Sequence, residues 1–267
     1  MKTIQGQYAA SGYQIFRGAL PVDAVNALAS AAKMVAAYKG EVRRISGRME
    51  RNDDYVKTGL IMNAVSNAHL GVPEELAPML DAMVRLVTSE TLWRCLHALD
   101  GAEHYTLHQS LLFLTSPSTE LHIDSWAVDS FPLGYAHSVW IPLQAMERIS
   151  GTPSVVPWPA GKVLSEEDLG LPAGAGYERY HAALEAKILA TSPDVVTAFF
   201  RPGDVFVWSS ATPHCTMPAI PTVRERLALQ LMMRPSHMLC GKAGVIEGWQ
   251  ENAERVNDHF SFLRVTD

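Results

Sequence analysis

Only three cysteines occur in the 267 residues, Cys95, Cys215 and Cys240. They lie far apart, with none of the paired spacings of a zinc ligand set. A count this sparse and odd suits a reducing cytoplasm rather than a disulfide-stapled secreted fold. Basic charge is also short. The chain has 22 Lys and Arg against 28 Asp and Glu, a net charge of −6, which argues against a nucleic-acid partner. No apolar run approaches the roughly 20 residues that a membrane span needs. Met1 to Tyr8 hold one lysine and no apolar stretch of the kind a secretory signal requires. Repeats and low-complexity tracts are missing too. Apolar residues are abundant, at 48% hydrophobic against 19% charged, too apolar for a disordered chain and enough for a large core. The length fits one domain over residues 1–267 better than two equal ones. The expectation is a cytoplasmic globular protein that meets neither membrane nor nucleic acid.

Three regions follow from the pattern. Residues 1–103 read as mainly helical, 104–235 as a β core with a helical insertion at about 160–192, and 236–267 as a C-terminal extension. In the first, Gly12 to Gly18 alternates like a short strand. Val22 to Ala36 then recurs at helical spacing behind Pro21 and stops at Gly40. A second helix opens near Pro73, runs along Leu76, Met79, Leu80, Met83, Val84 and Val87, and continues through Trp93 and Leu96 to Asp100-Gly101. Between the two lies a basic loop, or a loop with a short hairpin, holding Arg43, Arg44, Arg48 and Arg51. From Tyr105 the pattern changes to short aliphatic and aromatic strands: Tyr105–Leu114, Ser138–Leu143, Thr152–Val156, Val195–Phe200, Asp204–Trp208 and Arg226–Met233. Pro and Gly cluster between them, which predicts a sandwich or barrel. Tyr177–Ala190 reads as a helix inserted over one end, where lids usually sit.

The chemistry-bearing residues are His122 and Asp124, in Leu-His-Ile-Asp-Ser-Trp. At strand spacing they share a face and supply an imidazole and a carboxylate to a divalent metal. A mononuclear oxygenase iron needs a further nitrogen ligand and open positions, and His214 is the candidate. Arg226 begins an apolar strand 12 residues later, and its guanidinium fork matches a carboxylate such as the distal one of 2-oxoglutarate. Arg224 competes for that role, and Thr216 stands ready to donate a hydroxyl hydrogen bond to the same carboxylate. A surface pair for His122 and Asp124, and ordinary surface cations for the arginines, are the plainer alternatives.

Taken together, the order His-x-Asp, a tryptophan strand, Pro202-Gly-Asp, His214 and Arg226 resembles the phytanoyl-CoA dioxygenase family of iron(II)- and 2-oxoglutarate-dependent oxygenases. The resemblance covers most of residues 8–235. It includes Ser11 to Gly18, the stretch from Gln109 through Phe113 to Asp124, Val139 to Leu143, and Gly151 to Pro157. It implies a double-stranded β-helix, a cupin-like jelly roll flanked by helices. Fe(II) would be held by His122, Asp124 and His214, and 2-oxoglutarate by Arg226 and Thr216 with a contact from Gln109. Dioxygen would be the oxidant, and a small molecule of secondary metabolism would be hydroxylated at an unactivated C–H, with release of succinate and carbon dioxide. Halogenating relatives have a small residue in place of the carboxylate, so Asp124 favours hydroxylation; desaturation or cyclisation depends on how the substrate is placed. Two departures stand out. Thr115 replaces a lysine that many members carry, and Trp158-Pro159-Ala160 replaces their glycine-serine-histidine, which suggests a different substrate side.

The remaining candidates have plainer readings. His104 and His108 share a face of a strand and suit a structural or substrate-lining role better than a metal. His137 reads as a loop residue, or else a pocket one, and Trp140 and Trp208 read as core. Trp126 suits either the substrate mouth or rim packing. The arginine cluster is a solvated loop or an attractor for an anionic substrate. Gly241 to Asp267 suits a helix on the barrel or an oligomer contact. Two rival readings keep the fold: a metal dioxygenase or isomerase that ignores 2-oxoglutarate, and a binding protein without catalysis.

Overall fold

The computed structural model describes residues 3–57, 60–61, 64–115, 119–146, 151–191, 193–216 and 226–264. Thr3 opens helix α1 (Ile4–Ser11) by accepting the Gly6 amide on its hydroxyl, and Gly12 closes it in the left-handed conformation at φ 69°. A side chain at Gly12 has no room, since its Cβ would stand 2.0 Å from the Trp158 carbonyl oxygen. Trp158 and Ala160 donate their amides to Ser11 and Ala9, so the backbone of the Trp158-Pro159-Ala160 segment holds the end of α1.

Strand β1 (Tyr13–Phe16) precedes α2 (Val22–Ala37), which buries Val25, Leu28, Ala32 and Val35 at helical spacing. Hairpin strands β2 (Glu41–Arg43) and β3 (Met49–Arg51) follow, then β4 (Val56–Lys57), β5 (Leu60–Ile61) and β6 (Val65–Ser66). Arg44 turns inward at the hairpin and donates to Asn52 Oδ1 at 2.6 Å, whereas Arg43 binds the Gly47 carbonyl and Arg51 pairs with Asp53. Arg43 and Arg51 thus fit the plain reading of the cluster, whereas the fully buried Arg44 is a structural residue and not part of a solvated loop. The long helix expected from Pro73 is two helices, α3 (Ala77–Val87) and α4 (Glu90–Asp100). Ser89 is extended, and its hydroxyl accepts the Leu92 amide as an N-cap, which breaks the run.

The strands come next: β7 (Tyr105–Phe113), β8 (Asp129–Phe131), β9 (His137–Pro142) and β10 (Pro153–Val155). Helix α5 (Tyr177–Leu189) separates these from β11 (Val196–Thr197), β12 (Val205–Ser209), β13 (His214–Thr216), β14 (Ala228–Pro235), β15 (Leu239–Gly241), β16 (Ala253–Arg255) and β17 (Phe260–Leu263). Two core strands, β8 and β13, have no counterpart among the expected ones, and the expected strands themselves match observed ones to within a residue or two. The exception is Val195–Phe200, which shortens to β11 plus a bridge from Phe200 to Met146. The C-terminal extension forms strands rather than a helix. Its β17 lies parallel to β7, pairing Phe260 with Tyr105, and buries Phe260 and Phe262.

The large sheet runs β1-β12-β9-β14-β7-β17-β16, with β6 also on β7, and a small sheet runs β11-β10-β13. This is the jelly roll that the family resemblance implies, with helices against one face. Alternation divides the large sheet's residues between two cores. Val139, Ile141, Val205, Val207, Leu229 and Leu231 pack against the helices. Trp140, Phe206, Trp208 and Ala228 face the small sheet's Val155. Strand β7 breaks the alternation. Its pairing with β14 slips so that Met232 faces Gln109 while Met233 faces Leu107, which leaves His108 as the extra residue of a bulge. Leu107 is in the helix-side core and Ser110 bonds His69 on that side. Both residues between them, His108 and Gln109, therefore point into the roll.

One buried polar chain ties helices to sheet. Tyr8 Oη lies 2.8 Å from His137 Nδ1, His137 Nε2 lies 2.7 Å from Asp100 Oδ2, and Tyr105 Oη donates to Asp100 Oδ1 at 2.5 Å. His137 is thus a structural residue at the start of β9. Burial pushes the Asp100 carboxyl up, but His137, Tyr105 and the Ala102 amide outweigh it and hold the group below its ordinary range. A depressed carboxyl stabilises the fold above its unfolded pKa of about 3.9, and that contribution fades as pH falls through the folded value. Asp100→Asn is therefore expected to cost about 1.5–3 kcal/mol near neutrality, with the gap from wild type closing in acid. Chemical denaturation at several pH values reads this. A penalty independent of pH would mean that the charge at Asp100 plays no part.

Candidate metal centre and co-substrate pocket

The three expected ligands converge at one end of the roll. His122 and His214 form an isolated bridge, exchanging backbone hydrogen bonds of 3.0 and 2.9 Å, which brings their rings to a centroid distance of 4.2 Å. Each ring donates Nδ1–H to a backbone carbonyl, His122 to Glu120 at 2.8 Å and His214 to Thr212 at 3.0 Å. Both Nε2 atoms are left as lone-pair donors. Asp124 is not on a strand. Ile123 is extended, and Asp124 begins a 3-10 turn, Asp124–Trp126. Its carboxylate still reaches the same point, 4.0 Å from His122 Nε2 and 3.5 Å from His214 Nε2. One ligand atom from each of the three lies within 4.8 Å of the others.

Two residues missed in the sequence hold that carboxylate in place. Ser138 Oγ donates to Asp124 Oδ2 at 2.5 Å and Trp208 Nε1 at 3.1 Å. Ser138 and Trp208 are register partners on β9 and β12, so one rung of the large sheet presents both donors. Trp208, expected as core, is also part of the site. Burial alone pushes the Asp124 carboxyl up; the facing imidazoles of His214 and His122 and these two donors outweigh it and hold the group below its ordinary range, while burial lowers the pKa of His214 to about 4. Ionised carboxylate and neutral imidazole are the forms that bind a divalent cation.

Behind this point lies a cavity of about 260 Å³ bordered by Gln109, Phe113, Thr115, Thr216, Arg226 and Gln230, among others. Arg226 is the one Lys or Arg among the described residues around it. It is 3% exposed, donates Nη1 to the Gly151 carbonyl and lies 5.1 Å over the Phe113 ring. Its Nε has no partner, and no described carboxylate lies within ion-pair distance. Burial lowers its pKa to about 10, so it remains a desolvated cation facing the cavity. Thr216 Oγ1 accepts the Thr119 amide at 2.5 Å and shares a 2.9 Å hydrogen bond with Thr119 Oγ1. One hydroxyl proton of that pair is left over for a ligand. Arg224 lies outside the described residues.

On the outer side of His122, α5 brings Tyr177 and His181 to a second cavity of about 580 Å³, with Glu120, Glu178 and Glu185 at its edge. Trp126 packs on Tyr180 at 4.7 Å and edge-on to His181 at 5.8 Å, which joins the insertion to the turn that carries Asp124. His104 instead binds Asp258 and Ser261 at the C-terminal strand.

A jelly roll with two imidazoles and a carboxylate at its mouth and a buried arginine behind them is the build of the iron- and 2-oxoglutarate-dependent oxygenases. The phytanoyl-CoA dioxygenase family model matches residues 8–219, and the chain belongs to that family of oxidoreductases. No curated protein matches the sequence. Among solved structures, the epimerase SnoN from nogalamycin biosynthesis, in complex with Fe3+, alpha ketoglutarate and nogalamycin RO, is 20% identical at a TM-score of 0.64, covering 97% of this chain and 96% of its own. The carbocyclase SnoK from the same biosynthesis is 18% identical at 0.59, covering 92% and 90%. EctD from S. alaskensis, with 2-oxoglutarate and 5-hydroxyectoine, is 18% identical at 0.60, covering 91% and 79%. These likenesses establish the fold. No helix among the described residues is long and apolar enough to cross a membrane.

Proposed function

We propose that this protein is an Fe(II)- and 2-oxoglutarate-dependent dioxygenase that hydroxylates an unactivated C–H of a small molecule. The observation that carries the reading is the pairing, across one cavity, of an inward-facing His122, Asp124 and His214 set with a buried Arg226 that has no carboxylate partner among the described residues. Iron held by the three ligands would activate dioxygen, with 2-oxoglutarate as the reductant that leaves as succinate and carbon dioxide. Arg226 would bind the far carboxylate bidentately, the Thr119–Thr216 hydroxyl pair would add a hydrogen bond, and Gln109 would border the chain between. Ser138 and Trp208 fix the Asp124 rotamer, and the aromatic packing of Trp140, Phe206 and Phe200 keeps water from the inner wall. The substrate would enter beside α5, where Tyr177 and His181 face His122. All three cysteines are free thiols, which suits a cytoplasmic setting.

The test is a screen of small molecules against the Fe(II)-loaded enzyme for substrate-stimulated succinate release. The expected hit yields succinate and a product carrying one added oxygen. Epimerisation or ring closure, the reactions for which SnoN and SnoK are named as epimerase and carbocyclase, would release succinate with no oxygen added. Oxygen uptake indifferent to 2-oxoglutarate would overturn the co-substrate assignment.

A further inference from the structure

A second set of donors gathers on the other inward residue of the β7 bulge. We propose that His108, Cys240 and Glu251 form a second divalent-metal site, of zinc type, that fastens the C-terminal segment to the roll. One imidazole nitrogen, the thiol sulfur and one carboxylate oxygen of these residues lie within 4.8 Å of one another. Cys240 Sγ is already 3.3 Å from Glu251 Oε2, close to the ligand spacing that bonds of about 2.0–2.3 Å impose on a tetrahedral site.

An independent observation points to a missing ligand. His108 is 8% exposed, and its Nε2 has no hydrogen-bond partner among the described residues. A buried polar atom of this kind is costly unless something binds it. Burial, with Arg234 nearby, drives its pKa to about 3, which keeps the imidazole neutral with a free lone pair.

The surroundings also have the character of a ligand shell. Trp249 Nε1 donates to Glu251 Oε1 at 2.8 Å, leaving Oε2 turned to the sulfur. Cys240 and Trp249 exchange backbone hydrogen bonds of 2.9 and 3.0 Å, which fixes the ligand-bearing segments against each other. Burial pushes the Cys240 thiol up to about 11, with Arg234 pulling the other way, so metal binding would displace a proton from sulfur. Arg234 donates to the Met238 carbonyl, and its charge offsets one of the two anionic ligands. Nitrogen, sulfur and oxygen donors suit zinc and do not suit magnesium or calcium, which take oxygen ligands.

Cobalt(II), a spectroscopic stand-in for zinc, tests this on the full-length apoprotein. Only a sulfur ligand gives a thiolate-to-cobalt charge-transfer band in the near ultraviolet, and His122, Asp124 and His214 contain none. The wild type should bind two Co2+ per chain, show the band and lose it to added Zn2+. Cys240→Ser and His108→Ala should abolish the band, whereas Asp124→Ala should lose the other cobalt and keep it, and Cys215→Ser should keep both. A wild-type protein without the band at saturating Co2+ overturns the proposal whether or not the variants fold, as does a band that survives Cys240→Ser. Because the band is independent of Asp124, its loss and a failure of the oxygenase reading are separate results.

Discussion

Asp124→Ala is expected to suppress 2-oxoglutarate-dependent succinate formation by more than about 100-fold, the upper end of what loss of a mere supporting residue costs a metal site. Asp124 supplies the only carboxylate near the two Nε2 atoms among the described residues, and its removal leaves a divalent cation with two neutral imidazoles. Iron content per chain should fall in parallel. Ser138→Ala, which removes one hydrogen bond from the same carboxylate, should fall within the 10–100-fold range of such supporting contacts. Undiminished succinate production by the purified Asp124 variant would reject the ligand assignment.

The second large effect belongs to Arg226. Removing one partner of a buried charge pair costs about 2–5 kcal/mol, so Arg226→Ala should raise the 2-oxoglutarate concentration for half-saturation by roughly 30-fold or more. Iron content should stay unchanged. The side chain also holds the Gly151 carbonyl and stacks on Phe113, so Arg226→Met, which keeps the apolar stem, separates lost charge from lost packing. If Arg224→Ala produces the effect instead, the anchor is the other arginine.

Short aliphatic and aromatic runs between Pro and Gly clusters are enough to read the core strands, because each face of the large sheet meets a different core. The same apolar setting makes Trp208 read as packing. It alternates with Val205 and Val207, and nothing local says that the inner face carries chemistry as well as bulk; only its register with Ser138 brings the indole to Asp124. His122 and His214 could be named from spacing and order, whereas the 3-10 turn at Asp124 could not, since His-x-Asp reads equally well as a continuing strand. Helix α1 and the break at Ser89 depend on capping side chains, which carry little weight beside apolar periodicity. His137 and Asp100 are 37 positions apart, and Cys240 meets His108 from a distant segment. Spacing rules find donors that share a loop; here the tertiary fold selects them.

The inserted residue in β7 sets the phase of the whole strand. A chain lacking His108 would have a regular ladder, but the side chains on one flank of the deletion would all have to exchange sides. Either Leu107 would be turned out of its oily contacts, or Gln109, Leu111 and Phe113 would be withdrawn from the co-substrate chamber. A single surplus amino acid thus lets one β-strand serve as the partition between two compartments, with Leu107 facing the first and both His108 and Gln109 the second.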